Sequence, residues 1–299
     1  MTLPEGVRLG VSPLSWVNEV IEAFGRHTTA ETCLREAAAA GYEGVETSRK
    51  FPADPVALRP VLAGHGLDLV TGWHSGTLAA GDVEAEMAVV EVHARLLSVM
   101  GCTVMVYGET AMMAPGAPLD LPMSRRRTMP AADVAAYAER LTEFARRLHA
   151  AHGLRLAYHH HLMMVAETFE ETDAILSRTG PEVGLLLDTG HAAAGGFDYA
   201  CLIERHGDRI AHIHLKDVRQ GVLGRVRREN LSFNDAVRAG LFTVPGDGDL
   251  DFGPLARFVR DTGWRGWLVV EAEQDPALAP PLPTVRRAHD HIFSLFGDT

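Results

Sequence analysis

The stretch Leu154–His161, which reads LRLAYHHH, is an apolar run that ends in three histidines. The stretch Val183–His191, which reads VGLLLDTGH, has the same plan, because a run of Val and Leu residues leads into polar ones. Short, continuous apolar runs are typical of strands that are buried on both faces of a parallel sheet. The two stretches therefore predict parallel strands whose polar side chains stand at the carboxyl ends.

The same plan recurs along the whole chain, with amphipathic stretches between the apolar runs. Strands that alternate with helices imply βαβ units and a parallel sheet. Eight such units in 299 residues predict a closed (β/α)₈ TIM barrel, built as a single domain over residues 1–299. A doubly wound sheet is the alternative, but no GxGxxG motif follows any of the runs. The predicted strands are Val7–Ser12, Gly44–Thr47, Leu67–Trp73, Thr103–Tyr107, Leu154–His161, Val183–Asp188, Arg209–Lys216 and Trp267–Glu271.

Helix start signals between these runs support the alternation. Thr28 or Thr29 is a candidate cap for a helix over Ala30–Ala40, and Asp54-Pro55 opens another helix in the favoured order of cap and proline. Long connections follow the fourth and seventh predicted strands, at the strand ends where barrels build active sites. Three further helices are predicted at Ala131–Ala151, Thr168–Arg178 and Leu282–Phe296.

Composition and charge exclude several classes of partner. The net charge of −11 disfavours partners whose affinity comes from neutralised phosphates. The one basic cluster, Arg125–Arg127, is too short to reverse that balance, and we interpret it as part of a solvated loop. The three cysteines form no CxxC pair, which favours free thiols in a reducing compartment. We therefore expect a cytoplasmic protein without nucleic-acid or membrane partners, and we leave homo-oligomerisation open.

Polar side chains gather at the ends of the last four predicted strands. Residues two apart on a strand face the same side, so His159 and His161 share a face, as do Glu271 and Glu273. The strand ends of a closed barrel meet at one mouth. A convergent set of imidazoles and carboxylates supplies the mixed ligands that suit Mn²⁺, Co²⁺, Fe²⁺ or Zn²⁺. The pattern favours a metal site over isolated packing histidines.

Aromatic and charged residues follow the earlier strands and suit a small polyhydroxylated substrate. Each of them also has a plainer interpretation, because Trp16 and Trp73 could pack at the rim and Glu46 could pair with Arg49. The candidate substrate-binding residues are Trp16, Glu46, Arg49, Trp73, His74, Tyr107 and Glu109.

The ordered motifs LLLDTGH, HIHLKD, PGDGDLDF and WLVVEAEQDP resemble those of the sugar-isomerase/AP-endonuclease-type barrel superfamily. Within that superfamily, GVSPLSW near the amino terminus and SFNDAVRAGLFTVPGDG at Ser232–Gly248 resemble the inosose (2-keto-myo-inositol) dehydratases. The resemblance extends over nearly the whole chain. The sequence departs from the dehydratase pattern at Ser15, at His74 and at Met163-Met164, and these departures bear on the exact substrate.

The resemblance implies a divalent metal cofactor, Mn²⁺ or Co²⁺, and a small polyhydroxylated ketone as substrate. The implied ligands are Asp188, His214 and Glu271, with His159 in place of the carboxylate that the superfamily carries on strand five. His161 is the rival of His159 for that position.

The implied reaction dehydrates inosose to a trihydroxycyclohexane dione. A base removes the proton α to the ketone, and an acid protonates the departing β-hydroxyl. An isomerase or epimerase of a ketose or ketocyclitol is the first alternative, and β-elimination on a keto-glycoside is the second. The candidate bases are Glu271, His159, His161 and Glu273, and the candidate acids or enolate stabilisers are His191 and Lys216.

Overall fold

The computed structural model describes residues 2–297, so Met1, Asp298 and Thr299 of the predicted 1–299 domain lie outside the described residues. The chain forms two compact units. Of the described residues, the first unit contains residues 2–70, Ile213–Glu229 and residues 234–297, and the second contains Thr71–His212 and Asn230–Phe233. In the part of the chain that the structure describes, no helix is long and apolar enough to cross a lipid bilayer.

The strands of residues 2–297 are short and for the most part buried. In chain order they are β1 Val7–Val11, β2 Gly44–Val45, β3 Asp68–Leu69, β4 Trp73–Gly76, β5 Val104–Glu109, β6 Arg155–His159, β7 Val183–Asp188, β8 Ile210–Leu215, β9 Asp217–Val218, β10 Phe242–Thr243 and β11 Gly266–Val270. The helices are α1 Ala30–Ala39, α2 Pro55–Ala63, α3 Val83–Met100, α4 Val134–His152, α5 Phe169–Leu176, α6 Thr189–Gly195, α7 Ala200–His206, α8 Gln220–Glu229, α9 Phe233–Arg238, α10 Gly253–Thr262 and α11 Pro281–Leu295.

In the first unit, neighbouring strands follow the order β3-β2-β1-β11-β8, and every pair of neighbours is parallel. The short strands β9 and β10 form a separate antiparallel pair. Helix α1 begins where predicted, because the side chain of Thr29 accepts the backbone N–H of Thr32. Helix α2 has Asp54 as its cap and Pro55 at its first position, as predicted.

In the second unit, the strands follow the order β7-β6-β5-β4 and are again parallel. Every residue of β7 is buried, which explains its continuous apolar sequence. Helix α5 begins with a capping box, in which the Thr168 side chain accepts from Glu171 N and the Glu171 carboxylate accepts from Thr168 N.

Two predicted strands differ from the observed ones in an informative way. The run Leu67–Trp73 divides into β3, which pairs with β2, and β4, which pairs with β5. The run Leu154–His161 ends as a strand at His159, because the chain turns immediately afterwards and His161 N–H donates to Ala166 O at 2.8 Å. His161 therefore belongs to the loop after β6, and the argument from strand alternation does not apply to it.

Candidate active site

The ends of β6 and β7 bring together several imidazoles around one carboxylate. His159 is the last residue of β6 and Asp188 the last of β7, and His159 Nε2 lies 3.5 Å from Asp188 Oδ2. The other oxygen of Asp188, Oδ1, accepts the backbone N–H of His191 at 2.7 Å and so caps α6. The ring of His161 lies 5.3 Å from that of His159 and 3.7 Å from that of His191, measured between centroids. We call His159, His161, Asp188 and His191 the imidazole cluster.

The backbone of Leu162 fixes the tautomers of two of these rings. His161 Nδ1 lies 2.6 Å from the carbonyl oxygen of Leu162, so this nitrogen carries the proton and donates it. The backbone N–H of Leu162 donates to His191 Nδ1 at 3.4 Å, so that nitrogen is the acceptor. A neutral His161 therefore has its lone pair on Nε2, whereas a neutral His191 has its proton on Nε2. The two rings offer a proton acceptor next to a proton donor.

Trp73 contributes an aromatic edge to the imidazole cluster. Its ring meets those of His159 and His161 edge-on, with centroid distances of 5.6 and 6.0 Å. The indole rests on Gly108, where an added Cβ would come within 2.0 Å of the ring. Trp73 is 36% exposed, so part of the residue remains open to solvent.

The ends of β8 and β11 bring together carboxylates around one ammonium group. His214 Nδ1 contacts Glu271 Oε2, and His214 Nε2 lies 2.9 Å from Glu46 Oε1. Lys216 is fully buried, and its Nζ lies 3.4 Å from Glu271 Oε1 and 3.0 Å from Glu273 Oε2. We call Glu46, His214, Lys216, Glu271 and Glu273 the carboxylate cluster.

The charge and the donor chemistry of these residues suit a divalent cation. The carboxylate cluster holds three buried carboxylates and one ammonium, and buried charge is costly unless it is compensated. Because Glu46 accepts from Nε2, His214 is left with Nδ1 as its ligand atom, and such a carboxylate commonly orients a metal-binding imidazole. Imidazole and carboxylate donors together suit Mn²⁺, Co²⁺ or Zn²⁺. The buried donors of these kinds include His159, Asp188, His214 and Glu271.

His160 has a structural environment. It is fully buried, and its Nε2 accepts the backbone N–H of Asp188 at 3.3 Å. Its ring also packs against Phe197, at a centroid distance of 5.8 Å. His160 therefore supports the connection between β6 and β7 while its neighbour His159 points its Nε2 at the Asp188 carboxylate.

Three predicted substrate-binding residues lie in a buried hydrogen-bonded network around the segment after β4. His74 Nε2 lies 2.5 Å from Glu86 Oε1, and Tyr107 donates its hydroxyl to Glu109 Oε2 at 2.9 Å. Glu109 also accepts the backbone N–H of Ala79 at 3.0 Å. The contacts of His74, Tyr107 and Glu109 are thus those of residues that hold a loop.

Burial and hydrogen bonding shift the pKa values of two carboxylates in this network in opposite directions. Burial raises the pKa of Glu109, although Tyr107 and two backbone N–H groups donate to it. Burial also acts to raise the pKa of Glu86, but hydrogen bonds from His74 and Thr77 outweigh it and hold that pKa below its ordinary value. Glu86 is therefore ionised in the folded protein at neutral pH.

The remaining predicted substrate-binding residues have partners in the first unit. Trp16 is 1% exposed, and its indole N–H donates to Glu36 Oε2 at 2.8 Å, as expected for packing. Arg49 donates to the carbonyl oxygen of Asn18 at 3.3 Å and lies 3.8 Å from a carboxylate oxygen of Glu19. Glu46, as described above, accepts from His214.

Sequence reasoning missed the residues that organise the loops. Asp217 accepts the backbone N–H groups of Gly246, Gly248 and Leu250, so the turn after β10 is wrapped around one carboxylate. A Cβ at Gly248 would come within 2.4 Å of Asp217 Oδ1, which explains the glycine. Asp217 ends the HIHLKD motif and the turn lies in the PGDGDLDF motif. These two motifs are the signal that could have indicated the contact between Asp217 and the turn. Leu162 gives no such signal, because it acts through its backbone.

The motifs at these strand ends belong to a known family. Residues 34–295 match the family model described as Xylose isomerase-like TIM barrel. The chain belongs to the xylose isomerase-like TIM barrel family. Its fold is therefore a (β/α)₈ barrel, as predicted from the alternation of strands and helices.

Two curated relatives match this family member over nearly its full length. The rhizopine catabolism protein MocC of Rhizobium meliloti is 42% identical over 286 residues, which cover 96% of this chain and 87% of that protein. Inosose dehydratase of Geobacillus thermodenitrificans is 36% identical over 296 residues, which cover 97% of this chain and 98% of that protein. The resemblance to inosose dehydratases is confirmed, and the chain is a dehydratase, that is, a hydro-lyase.

Solved structures of distantly similar proteins share the fold. IOLI protein, solved with a zinc atom, matches with a TM-score of 0.70 at 15% identity and covers 97% of this chain and 98% of that one. D-psicose 3-epimerase matches with a TM-score of 0.69 at 15% identity and covers 97% of this chain and all of that one, 100%. At these identities the similarity concerns the fold alone.

Proposed function

We propose that this chain is a metal-dependent dehydratase that converts 2-keto-myo-inositol (inosose) to a trihydroxycyclohexane dione in inositol catabolism. The observation that supports it most is the buried set of imidazoles and carboxylates at the carboxyl ends of four strands, in a chain whose relatives include inosose dehydratases. Removal of water from a ketone requires a base and an acid and is assisted by a cation near the carbonyl, and the two clusters offer residues for each role.

In this proposal, one divalent ion is held by His159, Asp188, His214 and Glu271. The barrel fold of the family supports this, because it gathers the carboxyl ends of all strands at one face. The ion would supply Lewis acidity that polarises the ketone and makes its α-proton more acidic. Glu46 would orient His214 through Nε2, and Asp188 would bind through Oδ2 while Oδ1 caps α6.

The proton transfers fall to the pair of rings with fixed tautomers. We assign the base to His161, because its neutral form has the lone pair on Nε2. We assign the acid to His191, whose neutral form has the proton on Nε2 and can pass it to the departing hydroxyl. Lys216 lies between two carboxylates, which suits an ammonium that stabilises charge on an enolate oxygen. Glu273 would hold that ammonium in place.

Trp73 is the residue best suited to pack on the substrate ring, because it is partly exposed and lies beside the imidazole cluster. A second candidate function is dehydration of a related ketone in rhizopine catabolism, favoured by the 42% identity to MocC. The sequence departs from the dehydratase pattern at His74 and at Met163-Met164. These departures bear on the same choice, between inosose and a related ketone. The preference for Mn²⁺ or Co²⁺, the cytoplasmic location and any self-association stay predictions.

The test is incubation of the Mn²⁺- or Co²⁺-loaded protein with 2-keto-myo-inositol in deuterated water. We expect loss of one water per turnover and a rise in the ultraviolet absorbance of a dione, both abolished by chelation. Deuterium incorporation at the α-carbon without loss of water would instead indicate an epimerase. Elimination from a keto-glycoside, but not from inosose, would support the alternative lyase.

A further inference from the structure

The basic cluster Arg125–Arg127 is not uniformly solvated. Arg125 and Arg127 are exposed, as the sequence-based interpretation expects, but the side chain of Arg126 is only 10% exposed. A guanidinium is strongly polar, and its burial requires partners for its donors. Two of the three consecutive arginines are therefore solvated, and the third, Arg126, is largely buried.

Arg126 fastens the connection after β5 to the loop after β6. Its Nη1 donates to the carbonyl oxygen of Met164 at 2.9 Å, and its Nη2 donates to Glu171 Oε1 at 2.6 Å. Its Nε lies 3.3 Å from Glu167 Oε2. One planar guanidinium thus binds two carboxylates and a backbone carbonyl in a fixed fork geometry, which a lysine ammonium on a flexible stem does not provide.

The two carboxylates bound by Arg126 hold the loop in their turn. Glu167 Oε2 accepts the backbone N–H of Met163 at 2.7 Å, and Met163 has a φ of 69°. The left-handed region is unfavourable for a residue with a long side chain, so this conformation must be stabilised by its surroundings. Glu171 Oε2 accepts the backbone N–H of Glu167 at 3.0 Å and so fixes the end of the loop at the start of α5.

The loop so fastened is the one that sets the two tautomers. Met164 N–H donates to the carbonyl oxygen of His161 at 3.2 Å, and His161 N–H donates to Ala166 O at 2.8 Å. Between these bonds lies Leu162, whose carbonyl accepts from His161 and whose N–H donates to His191. A shift of the loop would therefore move Leu162 and release both rings.

The segment that carries Arg126 is anchored on its other side as well. Ser124 N–H donates to Asn230 Oδ1 at 3.2 Å, and Asn230 Nδ2 donates to Ser124 Oγ at 2.8 Å. Met123 N–H donates to the carbonyl oxygen of Leu231 at 3.1 Å. Arg126 thus reaches the loop after β6 from a segment that is itself held.

We infer that Arg126 is a positioning residue of the dehydratase, which holds the loop after β6 so that Leu162 keeps His161 as proton acceptor and His191 as proton donor. The inference rests on the proposed function for its catalytic consequence, but the fastening itself is independent of the substrate. Arg126 acts on the rings through the loop, because its polar contacts are with Met164, Glu167 and Glu171.

The test compares Arg126→Gln with the matched variants Arg125→Gln and Arg127→Gln, which remove the same charge from exposed neighbours. Hydrogen exchange of the amides of residues 161–167 should be about tenfold faster in Arg126→Gln and unchanged in the controls, because local opening is set by the bonds that hold a segment. Metal content should stay at the wild-type level. The kcat should fall about 10- to 100-fold with little change in KM, the size expected when reacting groups are misplaced by about 1 Å.

Arg126→Lys and added guanidinium test whether the effects come from loss of the guanidinium group. Arg126→Lys should recover part of the exchange protection, and millimolar guanidinium should raise the kcat of Arg126→Ala but not that of Arg125→Ala. Equal exchange in Arg126→Gln and Arg125→Gln, or faster exchange with an unchanged kcat, would overturn the inference. If Arg126→Gln does not fold, the same comparison between Arg126→Lys and Arg125→Lys decides it. A wild-type protein that does not dehydrate the ketone would refute the proposed function, and the exchange measurement would then still decide whether Arg126 holds the loop.

Discussion

The imidazole cluster and the carboxylate cluster arise from the same local plan but have different chemical character. Each stands where parallel strands end, at β6 and β7 in one unit and at β2, β8 and β11 in the other. The first has three rings around one carboxylate, with protons placed by the backbone of Leu162. The second has three carboxylates around one buried ammonium and one ring. In our proposal, proton transfer and charge compensation are therefore carried by residues at the ends of different strands.

Physical reasons support the assignment of proton transfer to the imidazole cluster and of cation binding to the buried carboxylates. A neutral imidazole can be buried at modest cost, and a single hydrogen bond to the backbone is enough to choose its tautomer. Buried carboxylates that outnumber the cationic side chains around them cost free energy. A cluster that contains such carboxylates is therefore suited to bind a cation. If one ion has ligands in both clusters, variants of the proposed ligands in either cluster should lower metal content, whereas variants of His161 should slow proton transfer and leave metal content unchanged.

The largest effect should come from the two carboxylates that we propose as ligands, one from each cluster. Asp188→Asn and Glu271→Gln each replace an anionic ligand with a neutral amide, which binds a hard cation much more weakly. Because the proposed ion would lower the barrier by several kcal/mol, turnover should fall at least about a thousandfold in both variants. Steady-state rates of dehydration check this, with the exposed Glu91→Gln as control. A large loss of turnover in one variant and none in the other would contradict the proposal that both clusters contribute ligands to one ion.

A smaller effect should separate two rings within the imidazole cluster. His161→Ala should lower turnover about 10²- to 10⁴-fold, the usual contribution of a positioned acid or base, while metal content stays unchanged. His159→Ala should lower both the metal content and the rate, because His159 is the proposed ligand. Metal analysis and kinetics on the same preparations distinguish the two roles. Loss of metal in His161→Ala, but not in His159→Ala, would exchange their assignments.

His160 should behave as a structural residue beside these functional ones. His160→Ala removes the hydrogen bond from the Asp188 N–H to the buried imidazole, a loss that costs about 1–3 kcal/mol of unfolding free energy. Metal content should not change. Urea unfolding measures the loss, and an inactive, metal-free His160→Ala that is as stable as the wild type would contradict the account.

The smallest effect should come from Glu86, which lies outside both clusters. Its folded pKa is lowered, so its contribution to stability is fully present above its ordinary pKa of 4.5 and is lost as the pH falls through the lowered value. The stability gap between wild type and Glu86→Gln should therefore narrow on acidification below about pH 4.5, with or without chelator. Urea unfolding across this range measures it, and a gap that widens would be inconsistent with the His74–Glu86 pair.

How far the sequence predicts these features depends on whether a residue acts through its side-chain type or through its backbone. The apolar runs predicted β7 from Val183 to Asp188 without error, because burial on both faces demands a continuous apolar pattern. The placement of His159 and Asp188 at neighbouring strand ends followed from that pattern. The end of β6 at His159 did not follow, because the turn after it depends on a backbone hydrogen bond between His161 and Ala166.

Arg126 and Leu162 are further residues whose roles could not be predicted from the sequence. The sequence gives Arg125, Arg126 and Arg127 identical side chains, and only the path of the loop decides which one is buried. Leu162 selects tautomers through its N–H and carbonyl groups, which every residue except proline carries. Features of this kind become visible only when the chain is seen folded.

The most direct test of the account is the metal stoichiometry of the wild-type protein, Asp188→Asn and Glu271→Gln, measured by elemental analysis after loading with Mn²⁺ or Co²⁺ and removal of free metal. The account predicts one tightly bound ion per wild-type chain and loss of that ion in each variant, because both clusters contribute ligands to it. A wild-type chain that binds no ion, or single variants that each retain a full ion, would contradict the proposal that the two clusters form one metal site.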